Sequence, residues 1–96
     1  PAWPSDFYGA EAKYLVSLQL YKAHEYAAAE KEILNFIEQS TPHAYWLARS
    51  FVLLSDVYVA MDKKLDARQY LLSLQQNYHA DDDIEQMINE RLEKLK

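Results

Sequence analysis

Three histidines are the side chains in this sequence that most readily suggest metal or proton chemistry. His24, His43 and His79 stand far apart, and none has a second histidine three or four residues away, the spacing with which one helix holds a metal ion. His79 is followed by the acidic triplet at 81–83, which could bind a cation, but no calcium-loop glycine accompanies it. Carboxylates in the first turn of a helix also complement its positive end. We therefore expect turn histidines, an acidic helix start and no metal site.

The serines do not form a recognisable nucleophile site. None lies in a G-x-S-x-G turn, and a single glycine excludes the glycine-rich loops that hold phosphate groups. The absence of cysteine excludes thiolate catalysis and disulfides. These features predict that the chain is not an enzyme and needs no cofactor.

Composition favours one small helical domain. The chain has 96 residues, 50% of them hydrophobic, with one glycine and three prolines, so it can bury a core but has few turn residues. A net charge of −5 disfavours nucleic acid, which demands a basic surface. The sequence contains no run of 18 apolar residues, the length that would predict a membrane span. We expect a single domain over 1–96.

The first residues carry no recognisable leader. They are neither basic nor followed by an apolar stretch, and the chain starts with Pro1. We interpret the sequence as a segment of a longer protein, or a processed form, whose targeting signal lies outside it. The compartment stays open.

Periodicity divides the chain into four parts. A proline-containing arm is followed by two amphipathic helix pairs and a final helix with one polar face; the predicted spans are 1–9, 10–41, 42–79 and 81–96. Within the first pair, the first helix is predicted from about Glu11 to Ala23. The third helix is predicted to start at Pro42 with Thr41 as its N-cap, since a hydroxyl before proline suits a first helical turn.

The two predicted helix pairs repeat each other with an offset of 38 residues. Ala29 then falls on Ala67, and Ser17 falls on Ser55. The two alanines have the small size that closely approaching helices require. With the large residues around them, these positions resemble the tetratricopeptide repeat (TPR) family. Some family positions differ; for example, the glycine expected at the turn is His24 in one copy and Asp62 in the other.

The resemblance implies a fold and a setting. The fold would be all-α, a right-handed array of antiparallel helix pairs with about five helices. The segments 9–15 and 41–49 are similar to parts of TPR proteins of the bacterial cell envelope and of Bacteroidetes. A bacterial envelope or periplasmic location follows as an expectation, with the cytoplasm as the alternative.

The resemblance also implies a binding surface, because the inner face of a TPR array is lined by the first helix of each pair. The residues expected on that concave side are Tyr14, Leu18, Tyr21, Arg49, Val52, Asp56 and Val59. This surface would bind an apolar or amphipathic peptide, with Arg49 and Asp56 fixing its polarity. The N-terminal arm, adjacent repeats or a second copy of the chain could cover it instead. Because Arg49 is expected outside the pairing core, Arg49→Glu should leave the fold intact.

Two functions remain open at this stage. The first is a protein-interaction scaffold or adaptor within a longer TPR protein. The alternative is a structural C-terminal end-cap of a helical solenoid that has no ligand of its own.

Overall fold

The computed structural model describes residues 7–39 and 43–95. These residues form five α-helices and no strand, so the fold is all-α. The helices are α1 (Phe7–Lys22), α2 (Tyr26–Glu38), α3 (Ala44–Ala60), α4 (Lys64–Asn77) and α5 (Ile84–Lys94). No helix among them is long and apolar enough to cross a membrane.

Three helix starts differ from the prediction. The first helix begins at Phe7, so residues 7–9 are helical and not part of an arm. No proline lies in that stretch to stop the helix from extending backward, and Gly9 is accommodated as a buried helical residue. The third begins at Ala44 with His43 in the N-cap position, while the predicted cap, Thr41, lies outside the described residues. The fifth begins at Ile84, and the acidic triplet precedes it.

The two helix pairs bury equivalent positions, 38 residues apart. In the first helices these are Ala10, Tyr14 and Ser17 of α1, and Ala48, Val52 and Ser55 of α3. In the second helices they are Ala29, Ile33 and Phe36 of α2, and Ala67, Leu71 and Leu74 of α4. The internal repeat is therefore present in the packing as well as in the sequence.

The turns within the two pairs also have the same backbone geometry. His24 and Asp62 both have a φ of 62°, the left-handed conformation that commonly ends a helix. The next residue in each turn donates its N–H back to the last helical turn, Glu25 to the Leu20 carbonyl (2.9 Å) and Lys63 to the Tyr58 carbonyl (2.7 Å). Two unrelated side chains thus occupy a position where the backbone would accept glycine without steric cost.

The third helix lies at the centre of the molecule and contacts each of the other four helices. One hydrophobic cluster joins α1, α2 and α3, together with Ala67 of α4, around Ile33 and Leu54. A second joins α3, α4 and α5 around Leu71 and Ile88. Leu95 packs against both clusters, so the end of α5 reaches the side of the molecule where the two helix pairs meet.

Candidate functional site

A groove of about 600 Å³ lies between the C-terminal parts of α1 and α3, the first half of α4 and the end of α5. Tyr21, Val59 and Leu95 provide apolar surface, and Arg91 and Lys94 provide positive charge. Val59 is 39% exposed, so a bound molecule could reach it directly. The groove combines accessible apolar surface with a few charged groups, as ligand sites do.

An ion pair fixes α5 to α3 at one wall of this groove. Arg91 donates from Nε to Asp56 Oδ1 (2.8 Å) and from Nη2 to Asp56 Oδ2 (3.0 Å). The two side chains are only 27% and 23% exposed, and two parallel bonds of this kind set a fixed orientation. Asp56 was predicted to set the polarity of a ligand, but its carboxylate oxygens already bind Arg91.

Tyr21 presents its hydroxyl as a neutral group. Partial burial, followed by the nearby Asp56 carboxylate, raises the pKa of Tyr21. Its ring packs on Tyr26 with 5.9 Å between centroids. Because the hydroxyl keeps its proton well above neutral pH, it can donate or accept one hydrogen bond at the groove.

Arg49 lies among aromatic rings near the start of α3, away from the groove. Its guanidinium carbon is 5.1 Å from the Tyr14 centroid, 5.9 Å from that of Tyr45 and 5.8 Å from that of Trp46. Arg49 Nη1 donates to the Tyr45 hydroxyl (3.3 Å), and that hydroxyl donates to Asp83 (2.8 Å). Arg49 therefore supports the Tyr45 hydroxyl, which joins α3 to the start of α5 through Asp83. We expect Arg49→Glu to disturb the structure.

Two of the predicted surface residues belong to the core. Tyr14 is 6% exposed and Val52 is 1% exposed, because they share a helix face with Ala10 and Ala48, the face that packs on the second helices. Val52 also lies in the cluster that includes Ile88 of α5. Neither side chain can contact a ligand without rearrangement.

The remaining predicted residues form equivalent pairs in the repeat. Leu18 corresponds to Asp56, and Tyr21 to Val59, at the same offset of 38 residues. Leu18 is half-buried against the first cluster. The structure therefore brings Tyr21, Asp56 and Val59 together in the groove and leaves the other four predicted residues outside its lining.

Sequence reasoning missed the contribution of α5 to the groove. Arg91 stands three residues after Ile88 and seven after Ile84, which places a charged side chain on the apolar face of α5. A charge in that position indicates a buried or half-buried partner. It was the signal that could have identified the pairing with Asp56.

The histidines occupy turn and helix-end positions. The His24 ring stacks on Tyr26 at 5.6 Å, and His79 Nε2 lies 2.9 Å from the Gln76 carbonyl oxygen. Asp82 Oδ1 accepts the Ile84 N–H (3.0 Å), so one carboxylate of the acidic triplet binds the first N–H of α5. Within residues 7–39 and 43–95, no group of three or more His, Cys, Asp or Glu side chains could hold a metal ion.

Comparisons with protein-family models, with curated proteins and with solved structures give no match to this chain.

Proposed function

We propose that the chain is a TPR-like interaction module that binds an apolar or amphipathic peptide segment in the groove between α1, α3 and α5. The groove carries the proposal, because it joins accessible apolar surface on Val59 and Leu95 to the Tyr21 hydroxyl. Its volume of about 600 Å³ lies within the range of ligand pockets. The partner we propose is a protein and not a nucleic acid, in keeping with the net charge of −5.

The pattern of helix contacts supports the TPR-like part of the proposal. The first helix of each pair packs on its own second helix: α1 on α2, and α3 on α4. It also packs on the next odd-numbered helix: α1 on α3, and α3 on α5. Each second helix packs on the helix that follows it: α2 on α3, and α4 on α5. Contacts of this kind repeat along a solenoid, in which each unit contacts its neighbours. A bacterial cell-envelope setting stays part of the proposal through the sequence resemblance alone.

The charges around the groove indicate how such a peptide would lie. Lys64 and Lys94 are exposed at its border, Glu90 lies beside them, and Arg91 is already paired with Asp56. A segment with aliphatic side chains toward Val59 and Leu95 and an acidic edge toward the two lysines would complement this arrangement.

Selection from a random peptide library displayed on phage, with the immobilised chain as bait, tests the proposal. We expect enriched peptides to carry aliphatic residues at helical or alternating spacing. Val59→Glu, which places a charge on an exposed groove position, should weaken their binding at least tenfold. Gln69→Glu on the outer surface of α4 is the matched control, because Gln69 is exposed and does not line the groove.

Two outcomes would overturn the groove assignment. One is a set of enriched peptides that binds the Val59→Glu variant as tightly as the parent chain. The other is loss of binding in the Gln69→Glu control as well, which would show that charge and not the groove decides. Circular dichroism confirms that both variants remain folded.

A specific observation favours the second candidate, a structural end-cap without a ligand. The outer side of α5 is polar and exposed at Glu85, Asn89 and Glu93, as expected of a helix that closes an array toward solvent. If capping is the whole function, the library should yield no peptide that depends on Val59. Val59→Glu should then leave every interaction of the protein unchanged.

A further inference from the structure

One face of α1 is exposed where the equivalent face of α3 is buried. We call it the α1 face; it consists of Ala12, Leu15, Val16 and Gln19. Leu15 is 46% exposed and Val16 is 51% exposed. The equivalent residues of α3, 38 positions later, are all buried at 3% exposure or less: Ser50, Leu53, Leu54 and Val57. The surroundings of α3 therefore show which kind of element covers this face where the face is buried.

On α3 the covering element is largely α2. Leu34 and Ile37 of α2 pack against the cluster that holds Leu53, Leu54 and Val57. At the edge of the same contact, the Tyr58 hydroxyl donates to Glu30 Oε2 (2.7 Å). Glu30, Leu34 and Ile37 follow each other at i, i+4 and i+7, the spacing of one side of a helix.

We infer that the α1 face binds an amphipathic helix of a protein partner that presents aliphatic side chains with the spacing of Leu34 and Ile37. The backbone repeat gives α1 the same position relative to such a helix as α3 has relative to α2. Lys13 borders the face beside Val16 and Lys22 lies beyond Gln19, while Glu11 stands beside Leu15. A partner helix with glutamates toward the two lysines, like those of α2, therefore adds charge complementarity.

A second copy of the chain does not supply this helix. Besides α1 itself, no described helix exposes two large aliphatic side chains: α3 exposes Val59, α4 exposes Leu65, and α2 and α5 expose none. A copy could offer only its own α1. Paired with a second α1, this face would meet Leu15 and Val16 and not the stripe of Leu34 and Ile37 that covers the equivalent face of α3. The inference is independent of the groove, which lies on another side of α1.

The probe for this surface is a synthetic peptide with the sequence of α2, Tyr26–Glu38. A lactam between Lys31 and an Asn35→Asp replacement holds it helical, since both positions point to solvent in α2 and a free peptide of this length is marginally helical. Titration into the ¹⁵N-labelled chain is followed by NMR. We expect saturable shifts concentrated between Ala12 and Gln19.

Matched variants identify the contact. Val16→Glu should weaken peptide binding at least tenfold, whereas Leu65→Glu, which changes the 81% exposed leucine of α4, should leave it within twofold. A peptide with Leu34→Lys and Ile37→Lys should not bind. Leu15→Glu serves as a second variant if Val16→Glu disturbs the fold.

Several results would overturn the inference. They are the absence of saturable shifts, shifts confined to the groove around Val59 and Arg91, or displacement of the chain's own α2, seen as shifts around Leu54. Equal binding by the parent chain and a folded Val16→Glu variant would overturn it too. Concentration-dependent dimerisation without peptide, abolished by Val16→Glu, would show that α1 pairs with a second α1 instead. Binding at the α1 face is measured through Val16, and binding in the groove is measured through Val59. Loss of the groove proposal would therefore leave these results unchanged.

Discussion

The first helices of the two repeats, α1 and α3, have the same relation to their second helices but different surroundings. Val16 is 51% exposed on α1, and its equivalent Leu54 is completely buried on α3. Both residues are aliphatic, so the difference arises from the neighbour that α3 has and α1 does not. Burial in a repeat is set by position along the array as much as by residue type.

The largest expected effect on the free energy of unfolding comes from truncating the side chain at the equivalent position of the two helices. Leu54→Ala should lower the free energy of unfolding by about 2–5 kcal/mol, since it leaves a cavity in the first cluster. Val16→Ala should change it by no more than ~0.5 kcal/mol, as at other exposed sites. Urea unfolding measures both. A comparable loss in the two variants would show that the α1 face is covered in solution.

Overpacking tests whether the two helix pairs are equally close. Ala29 and Ala67 are both 0% exposed, and each faces its first helix. Ala29→Leu and Ala67→Leu should each lower the free energy of unfolding by about 1–3 kcal/mol, again by urea unfolding. An unchanged stability in one variant alone would mean that its helix pair is looser and that the repeats are not equivalent.

The two left-handed turns give a smaller effect of opposite sign. Replacing His24 or Asp62 by glycine removes the steric cost of a φ of 62° and should raise the free energy of unfolding by about 0.5–1 kcal/mol. Asp62→Gly should gain more, because His24→Gly also loses the stacking on Tyr26. Thermal unfolding compares the two. A destabilised Asp62→Gly variant would contradict the assigned turn geometry.

The last effect is confined to high pH and to the link between α4 and α5. Partial burial and the hydrogen bond to Asp82 raise the pKa of Tyr78 to about 12, from about 10 in an unfolded chain. The stability that this hydroxyl contributes is present below pH 10 and is lost as the pH rises toward 12. Between these values the free energy of unfolding should fall less in Tyr78→Phe than in the parent chain. Parallel curves for the two proteins would show that the hydroxyl is free.

The sequence was sufficient to predict the helices, the repeat and the small buried residues, because these depend on local spacing. Ala29 and Ala67 align at 38 residues and are both fully buried. The orientation of α3 was harder to predict, since its apolar residues surround the helix and periodicity does not show which face meets α4. Val52 was therefore expected on the surface and is 1% exposed.

Long-range pairing accounts for the rest of the difference at the site. Asp56 binds Arg91, 35 residues away, and nothing in the local sequence of α3 indicates that α5 returns to it. Arg49 likewise contacts Tyr14 on α1, a neighbour that depends on how the helix pairs pack. The position of Arg91 on the apolar face of α5 indicates that it has a partner, but not that the partner is Asp56 of α3.

Photo-cross-linking at position 59 tests the proposed groove most directly. Benzoylphenylalanine replaces Val59 in the protein in its natural host, and the same replacement at Gln69 on the outer surface of α4 is the control. We expect position 59, and not position 69, to form adducts with an apolar or amphipathic segment of a protein, identified by mass spectrometry. The same adducts at both positions, or none at position 59 in the folded protein, would contradict the proposal.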